Sequence, residues 1–153
     1  MSESRAEPPE FFIDRSLGRY RLAAELRDAG WDVRTMAEVY GEVPGQGLDD
    51  PPWLEECGTR GWVALTKDKS ILRKQPGGRL SPQLEAIRAG RVCVFVLMNQ
   101  DLSGGDQAAT YRRHERKIMN IVNSRPGPWV YGIYPTGLVE VWPARRRPRA
   151  TRA

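Results

Sequence analysis

The sequence predicts an α/β fold, with a largely parallel sheet covered by helices on both faces. Three observations carry this. Short apolar runs alternate with helix-like segments along the chain. Two of those runs stop at or just before an aspartate, Asp14 and Asp68. Near the C-terminus, two aromatic-rich runs flank Pro135-Thr136-Gly137, the pattern of a hairpin.

The elements follow in order. Glu10-Phe11-Phe12-Ile13-Asp14 reads as a buried first strand ending in an acid. Leu17 to Ala29 places Leu17, Leu22, Ala23, Leu26 and Ala29 along one helical face, and Gly30 stops it. Trp31 to Thr35 reads as a second strand, followed by a Gly- and Pro-rich loop from Gly41 to Leu48. Asp50-Pro51 is a helix start, with Trp53, Leu54 and Cys57 turned inward and a stop near Gly61.

Trp62 to Thr66 is the third strand, and Asp68 follows it. Pro76-Gly77-Gly78 reads as a flexible break, and Pro82 to Ala89 as a short helix. Val92 to Leu97 is the most apolar run and is expected to lie centrally. Ser103 to Asn123 is expected as one long helix. Trp129 to Tyr134 and Leu138 to Trp142 close the sheet as a hairpin.

A chain of 153 residues, 40% hydrophobic and 28% charged, suits one domain with a sizeable core. No run approaches the ~20 apolar residues of a membrane span. The polar opening from Met1 to Glu10 lacks the apolar centre of a signal peptide, so a cytoplasmic protein is expected. Cys57 and Cys93 have no metal-ligand spacing and read as reduced core thiols. Net charge is +5, and of 24 basic residues 20 are Arg and four are Lys. Such a balance permits a nucleic-acid partner. Part of the excess is the tail from Arg145 to Arg152, read either as a solvated terminus or as a polyanion-binding arm.

In parallel sheets, active sites gather at the carboxyl ends of strands. Asp14 and Asp68 stand at two such ends, and Asp50 opens the helix that feeds the third strand. Clustered carboxylates repel one another unless a cation neutralises them. Oxygen-only ligands suit Mg²⁺ or Mn²⁺, which also bind phosphate and activate water. Each acid has a plainer alternative: Asp14 as a turn residue, Asp50 as a helix cap, Asp68 as an Asx turn. Arg15, Lys67, Lys69 and Arg73 flank the acids and read either as phosphate contacts or as solvated loop charge. The lone His114, in a charged stretch, reads as a surface residue, and no dinucleotide or P-loop motif occurs. Trp129, Tyr131, Tyr134 and Trp142 read as base-stacking residues or as cover for a sheet edge.

Three segments carry a family resemblance. Phe11-Phe12-Ile13-Asp14-Arg15-Ser16-Leu17-Gly18 resembles the opening of PIN-like domains. Asp50-Pro51-Pro52-Trp53-Leu54 is similar to the acid-x-x-Trp-Leu segment of one branch, and Thr66-Lys67-Asp68 to the Thr-x-Asp motif. Order and spacing match over roughly residues 10 to 100, among proteins grouped with VapC-type toxins.

The resemblance implies a PIN-like three-layer α/β/α sandwich with a mainly parallel central sheet and a C-terminal β-hairpin. The sequence reads as a flexible N-terminus over 1–9, the PIN-like domain over 10–143 and a disordered basic tail over 144–153. The activity implied is divalent-metal-dependent RNA cleavage, with Asp14, Asp50 and Asp68 catalytic and holding Mg²⁺ or Mn²⁺. Implied partners are an RNA substrate, an antitoxin and a second copy in a homodimer. The sequence departs from the common pattern in lacking an obvious fourth acid. Asp49, Glu55, Asn99 and Asp101 are the candidates for an additional ligand. That departure keeps a second reading open, a catalytically weak or inactive module that binds RNA or protein. A phospho-accepting receiver domain is a weaker third, because it needs paired acids where Asp14 is followed by Arg15.

Overall fold

The structure, a computed structural model, describes residues 8–18, 20–41, 50–99 and 102–143, and of Asp50 the backbone alone. A six-stranded sheet runs through it in the order β2-β1-β3-β4-β5-β6. The strands are β1 (Glu10–Ile13), β2 (Asp32–Thr35), β3 (Val63–Thr66), β4 (Cys93–Leu97), β5 (Trp129–Tyr134) and β6 (Gly137–Trp142). Every neighbouring pair is parallel except β5 and β6, which form the antiparallel hairpin. Tyr134 pairs with Gly137, so the turn is Pro135-Thr136. The α/β sandwich with a mainly parallel sheet and a C-terminal hairpin is therefore present as expected. The readings of residues 1–7 and 144–153 lie outside the described residues.

Both faces of the sheet are apolar because alternate strand residues point opposite ways. Phe11, Ile13, Val33, Leu65, Phe95, Leu97 and Trp129 build one core. It is covered by α1 (Arg21–Asp28), α5 (Gly104–Arg113) and α6 (Glu115–Ser124). Phe12, Ala64, Val94, Val96 and Val130 build the other. Its cover is α2 (Met36–Tyr40), α3 (Asp50–Arg60) and α4 (Pro82–Gly90). Trp53, Leu54 and Cys57 point inward from α3 as expected. No helix among the described residues is long and apolar enough to cross a membrane.

Four elements differ from the sequence reading. The helix expected from Leu17 begins instead as a 3-10 turn, Arg15–Leu17, and α1 starts only at Arg21. Gly18 separates them at φ 94°, a conformation open to glycine and not to a helix. The helix α2 was not expected. Its start is a capping box in which Thr35 accepts from the Glu38 N–H and the Glu38 side chain accepts from the Thr35 N–H.

The single helix expected over Ser103 to Asn123 is two helices, bent at His114. There the His114 N–H is shared between the carbonyls of Thr110 and Tyr111, and the tighter bonding redirects the chain. His114 stands at that bend and is buried, which corrects its reading as a surface residue. Finally, Pro76–Gly78 forms a 3-10 turn, with Gly77 and Gly78 both at positive φ.

Trp129 is fully buried, its ring meeting Phe95 edge-on at 5.1 Å, so its role is packing rather than base stacking. Burial pushes the Cys57 thiol well above its ordinary value and that of Cys93 up to about 11. Both cysteines are free, Cys57 buried and Cys93 half-buried, and their thiols stay protonated near neutral pH.

Candidate active site

The chain leaves β1 for β2 on one side, then returns past β1 to place β3 on the other. Such a reversal opens a crevice at the carboxyl ends of the two strands. Asp14 ends β1 and Asp68 lies just beyond β3, so both stand at this crevice. The Asp14 N–H donates to the Leu65 carbonyl at 2.9 Å, carrying the β1–β3 pairing up to the acid itself.

Asp14 is only 2% exposed. Its Oδ2 accepts the hydroxyl of Ser16 at 2.8 Å and that of Thr66 at 2.7 Å. Each hydroxyl oxygen in turn accepts a backbone N–H from the segment after β3. Thr66 Oγ1 accepts from Asp68 at 3.0 Å, and Ser16 Oγ accepts from Lys67 at 3.1 Å. The two hydroxyls therefore point their protons at one carboxylate and hold the Asp68 segment with their lone pairs. A carboxylate that accepts such bonds is fixed in one rotamer.

Asp68 is half-buried, and its Oδ1 accepts from Ser70 N at 2.9 Å and from Ser70 Oγ at 2.6 Å. The turn role weighed for Asp68 is thus real, and it occupies one carboxylate oxygen. Asp14 precedes a 3-10 turn without capping it through its side chain. Its charge also reaches the opposite core. Burial, with a smaller contribution from Asp14, pushes the fully buried Tyr111 phenol well above its ordinary value.

Asp50 is the first residue of α3, one place further into the helix than a cap would stand. Its side chain, like Asp49 and Asp101, lies outside the described residues. Glu55 is exposed on α3, and its carbonyl accepts from Thr59 Oγ1 at 3.1 Å. Asn99 is exposed two residues beyond β4, on the same carboxyl edge of the sheet. Among the basic residues, Arg15, Lys69 and Arg73 are exposed and Lys67 is half-buried. Arg15 lies 3.9 Å from Met36 Sδ. Among the described residues, no three His, Cys, Asp or Glu side chains converge as metal ligands. The donors that do converge are all oxygen, the chemistry Mg²⁺ and Mn²⁺ prefer, and Mg²⁺ commonly takes only one or two carboxylates.

Sequence reasoning missed Ser16 and Thr66, although both lie inside quoted motifs. The available signal was a hydroxyl two residues after one acid and another two residues before the next. Replacing Thr66 with Val keeps the volume but removes one donor to Asp14 and the acceptor for the Asp68 N–H. Because Thr66 is fully buried, the expected loss of stability is about 1–3 kcal/mol by urea denaturation.

The fold is an α/β sandwich whose sheet, parallel but for its last strand, carries Asp14 and Asp68 at the ends of β1 and β3. The chain belongs to the PIN-like domain family: the family model described as "PIN like domain" matches residues 9–99. That stretch contains Asp14, Asp50 and Asp68. The chain is similar to the Mycobacterium tuberculosis (strain ATCC 25618 / H37Rv) protein named "Putative ribonuclease VapC45". The two are 29% identical over 136 residues, covering 89% of this chain and 94% of the relative. No solved structure matches the chain.

Proposed function

We propose that this protein is a divalent-metal-dependent endoribonuclease of PIN type, acting in the cytoplasm as the toxin of a toxin–antitoxin pair. The observation that carries this reading is Asp14, locked by two hydroxyls at the switch crevice and tied through Thr66 to Asp68. A ribonuclease name on a relative aligned over nearly its whole length supports it.

Asp14, Asp50 and Asp68 are the proposed metal-holding and catalytic residues, with Asp49, Glu55, Asn99 or Asp101 as a further ligand. A bound Mg²⁺ or Mn²⁺ supplies charge neutralisation at the phosphoryl oxygens and a water of lowered pKa. The chain supplies the positioning. Ser16 and Thr66 keep the Asp14 carboxylate in one orientation, and Ser70 fixes Asp68 through one oxygen. Arg15, Lys67, Lys69 and Arg73 draw the RNA backbone toward the acids. The antitoxin and a second copy of the chain are the proposed protein partners.

The test is cleavage of single-stranded RNA in Mn²⁺, after stripping with EDTA, and after Mn²⁺ is restored. Cutting that disappears with EDTA and returns with the ion is expected. The second reading, an inactive binding module, is favoured by the lack of an obvious fourth acid in the sequence. RNA that is bound but stays intact in Mn²⁺ would establish it. For the toxin role, arrest of growth on expression, relieved by the product of an adjacent gene, is the expected outcome.

A further inference from the structure

Beside the acids, the carboxyl edge of the sheet continues into an open cleft of about 540 Å³ lined by Lys69, Met98, Asn99, Tyr134 and Pro135. Its parts come from the ends of successive strands. Lys69 follows Asp68 after β3, Met98 and Asn99 follow β4, and Tyr134 ends β5. In the sheet order β1-β3-β4-β5, the cleft is next in line after the Asp14–Asp68 crevice. At ~4.8 Å per strand, Tyr134 stands on the order of 10 Å along the edge from the end of β3.

Gly132 lies two residues before Tyr134 on β5 and lets two of the lining side chains, Met98 and Tyr134, approach each other. A Cβ at that position would stand 2.8 Å from Met98 Cε and 3.0 Å from Tyr134 Cε2. Without one, the thioether and the aromatic ring close together over the backbone of β5. Tyr134 is half-buried, and its backbone is held in register by its pairing with Gly137. The exposed ammonium of Lys69 and the exposed amide of Asn99 stand at the same opening. An aromatic platform, a cation and a hydrogen-bonding amide together match a nucleotide: ring to base, ammonium to phosphate, amide to base edge.

We propose that this cleft is a nucleobase subsite, in which Tyr134 stacks the base of a nucleotide neighbouring the phosphate held at Asp14 and Asp68. The proposal rests on the RNA-cleaving reading for its polymer. It adds where the strand runs, across the ends of β1, β3, β4 and β5 in that order.

The experiment is equilibrium binding by fluorescence anisotropy, in Ca²⁺, with gels checking that the RNA stays intact. The probes are a labelled oligoadenylate decamer and an abasic decamer with the same sugar-phosphate chain. Wild type is expected to prefer the base-bearing strand. Tyr134→Ala should shrink that preference by about 5- to 150-fold, the range of one base–aromatic stack, while Tyr134→Phe restores it. Far-UV dichroism on both variants separates a lost platform from a lost fold, and the wild-type comparison of the two strands needs no variant at all.

A full preference for bases in folded Tyr134→Ala overturns the subsite, and so does a wild type that binds both strands equally. If RNA is nevertheless cut in Mn²⁺, the nuclease reading survives that failure. If the Tyr134 signature appears and RNA is never cut, the subsite stands and the nuclease reading falls. A protein that binds neither strand overturns both.

Discussion

Asp14→Asn is expected to lower the rate of RNA cleavage by about 10³-fold or more, with the fold unchanged. The size follows from the chemistry assigned to the position. Losing a carboxylate that holds the metal removes several kcal/mol of transition-state charge stabilisation, and each 1.36 kcal/mol is a factor of ten. The fold should survive because asparagine keeps the shape. Its carbonyl oxygen can still accept the Ser16 and Thr66 hydroxyls that Asp14 Oδ2 accepts now. Removing a nearly fully buried charge also removes a desolvation cost, so the melting temperature should hold or rise. Single-turnover cleavage in Mn²⁺ and a thermal melt read the two effects separately. Wild-type cleavage by this variant would leave Asp14 as an architectural residue and end its assignment to catalysis.

Phe12→Ala should produce the largest loss of stability, about 3–5 kcal/mol. Phe12 is fully buried at the centre of β1. Its ring lies 5.3 Å from that of Trp53, tilted by 27°, and 5.6 Å from that of Trp62, stacked and nearly parallel at 4°. Tyr40 meets it edge-on at 6.4 Å. One side chain thus joins α2, α3 and the entry to β3, and truncation would leave a cavity that three rings cannot close together. Urea denaturation measures the loss, and Phe12→Leu should recover part of it. A destabilisation below about 1 kcal/mol would mean that the surrounding rings collapse into the gap, contrary to their stacked arrangement.

Much of this architecture was readable from residue pattern alone because buried parallel strands have an uninterrupted apolar signature. Val92 to Leu97 reads as a central strand, and β4 lies between β3 and β5. Asp14 and Asp68 were legible for a related reason: an acid directly after such a run has little to do but face the sheet edge. The failures are local.

Gly18 sits inside a stretch whose apolar spacing is otherwise helical, and periodicity does not register one residue at positive φ. The helix α2 is only five residues long, too short for a periodic signal, although its capping box was there to be read. The bend at His114 depends on tertiary burial, which a run of charged neighbours disguises. Ser16 and Thr66 escaped because their role depends on a pairing between segments about fifty residues apart, and no local pattern encodes that.

The pairing of β1 with β3 has a consequence in time. Asp14 emerges early in synthesis, but its two hydroxyl partners come from both sides of the strand pair, and the second, Thr66, is made some fifty residues later. Until Val63–Thr66 has left the ribosome and docked beside Glu10–Ile13, the carboxylate has half its support and Asp68 has no place beside it. Domains fold as units, and β4, which flanks this pair on the β3 side, arrives later still. A growing chain therefore carries the residues of a nuclease without its geometry.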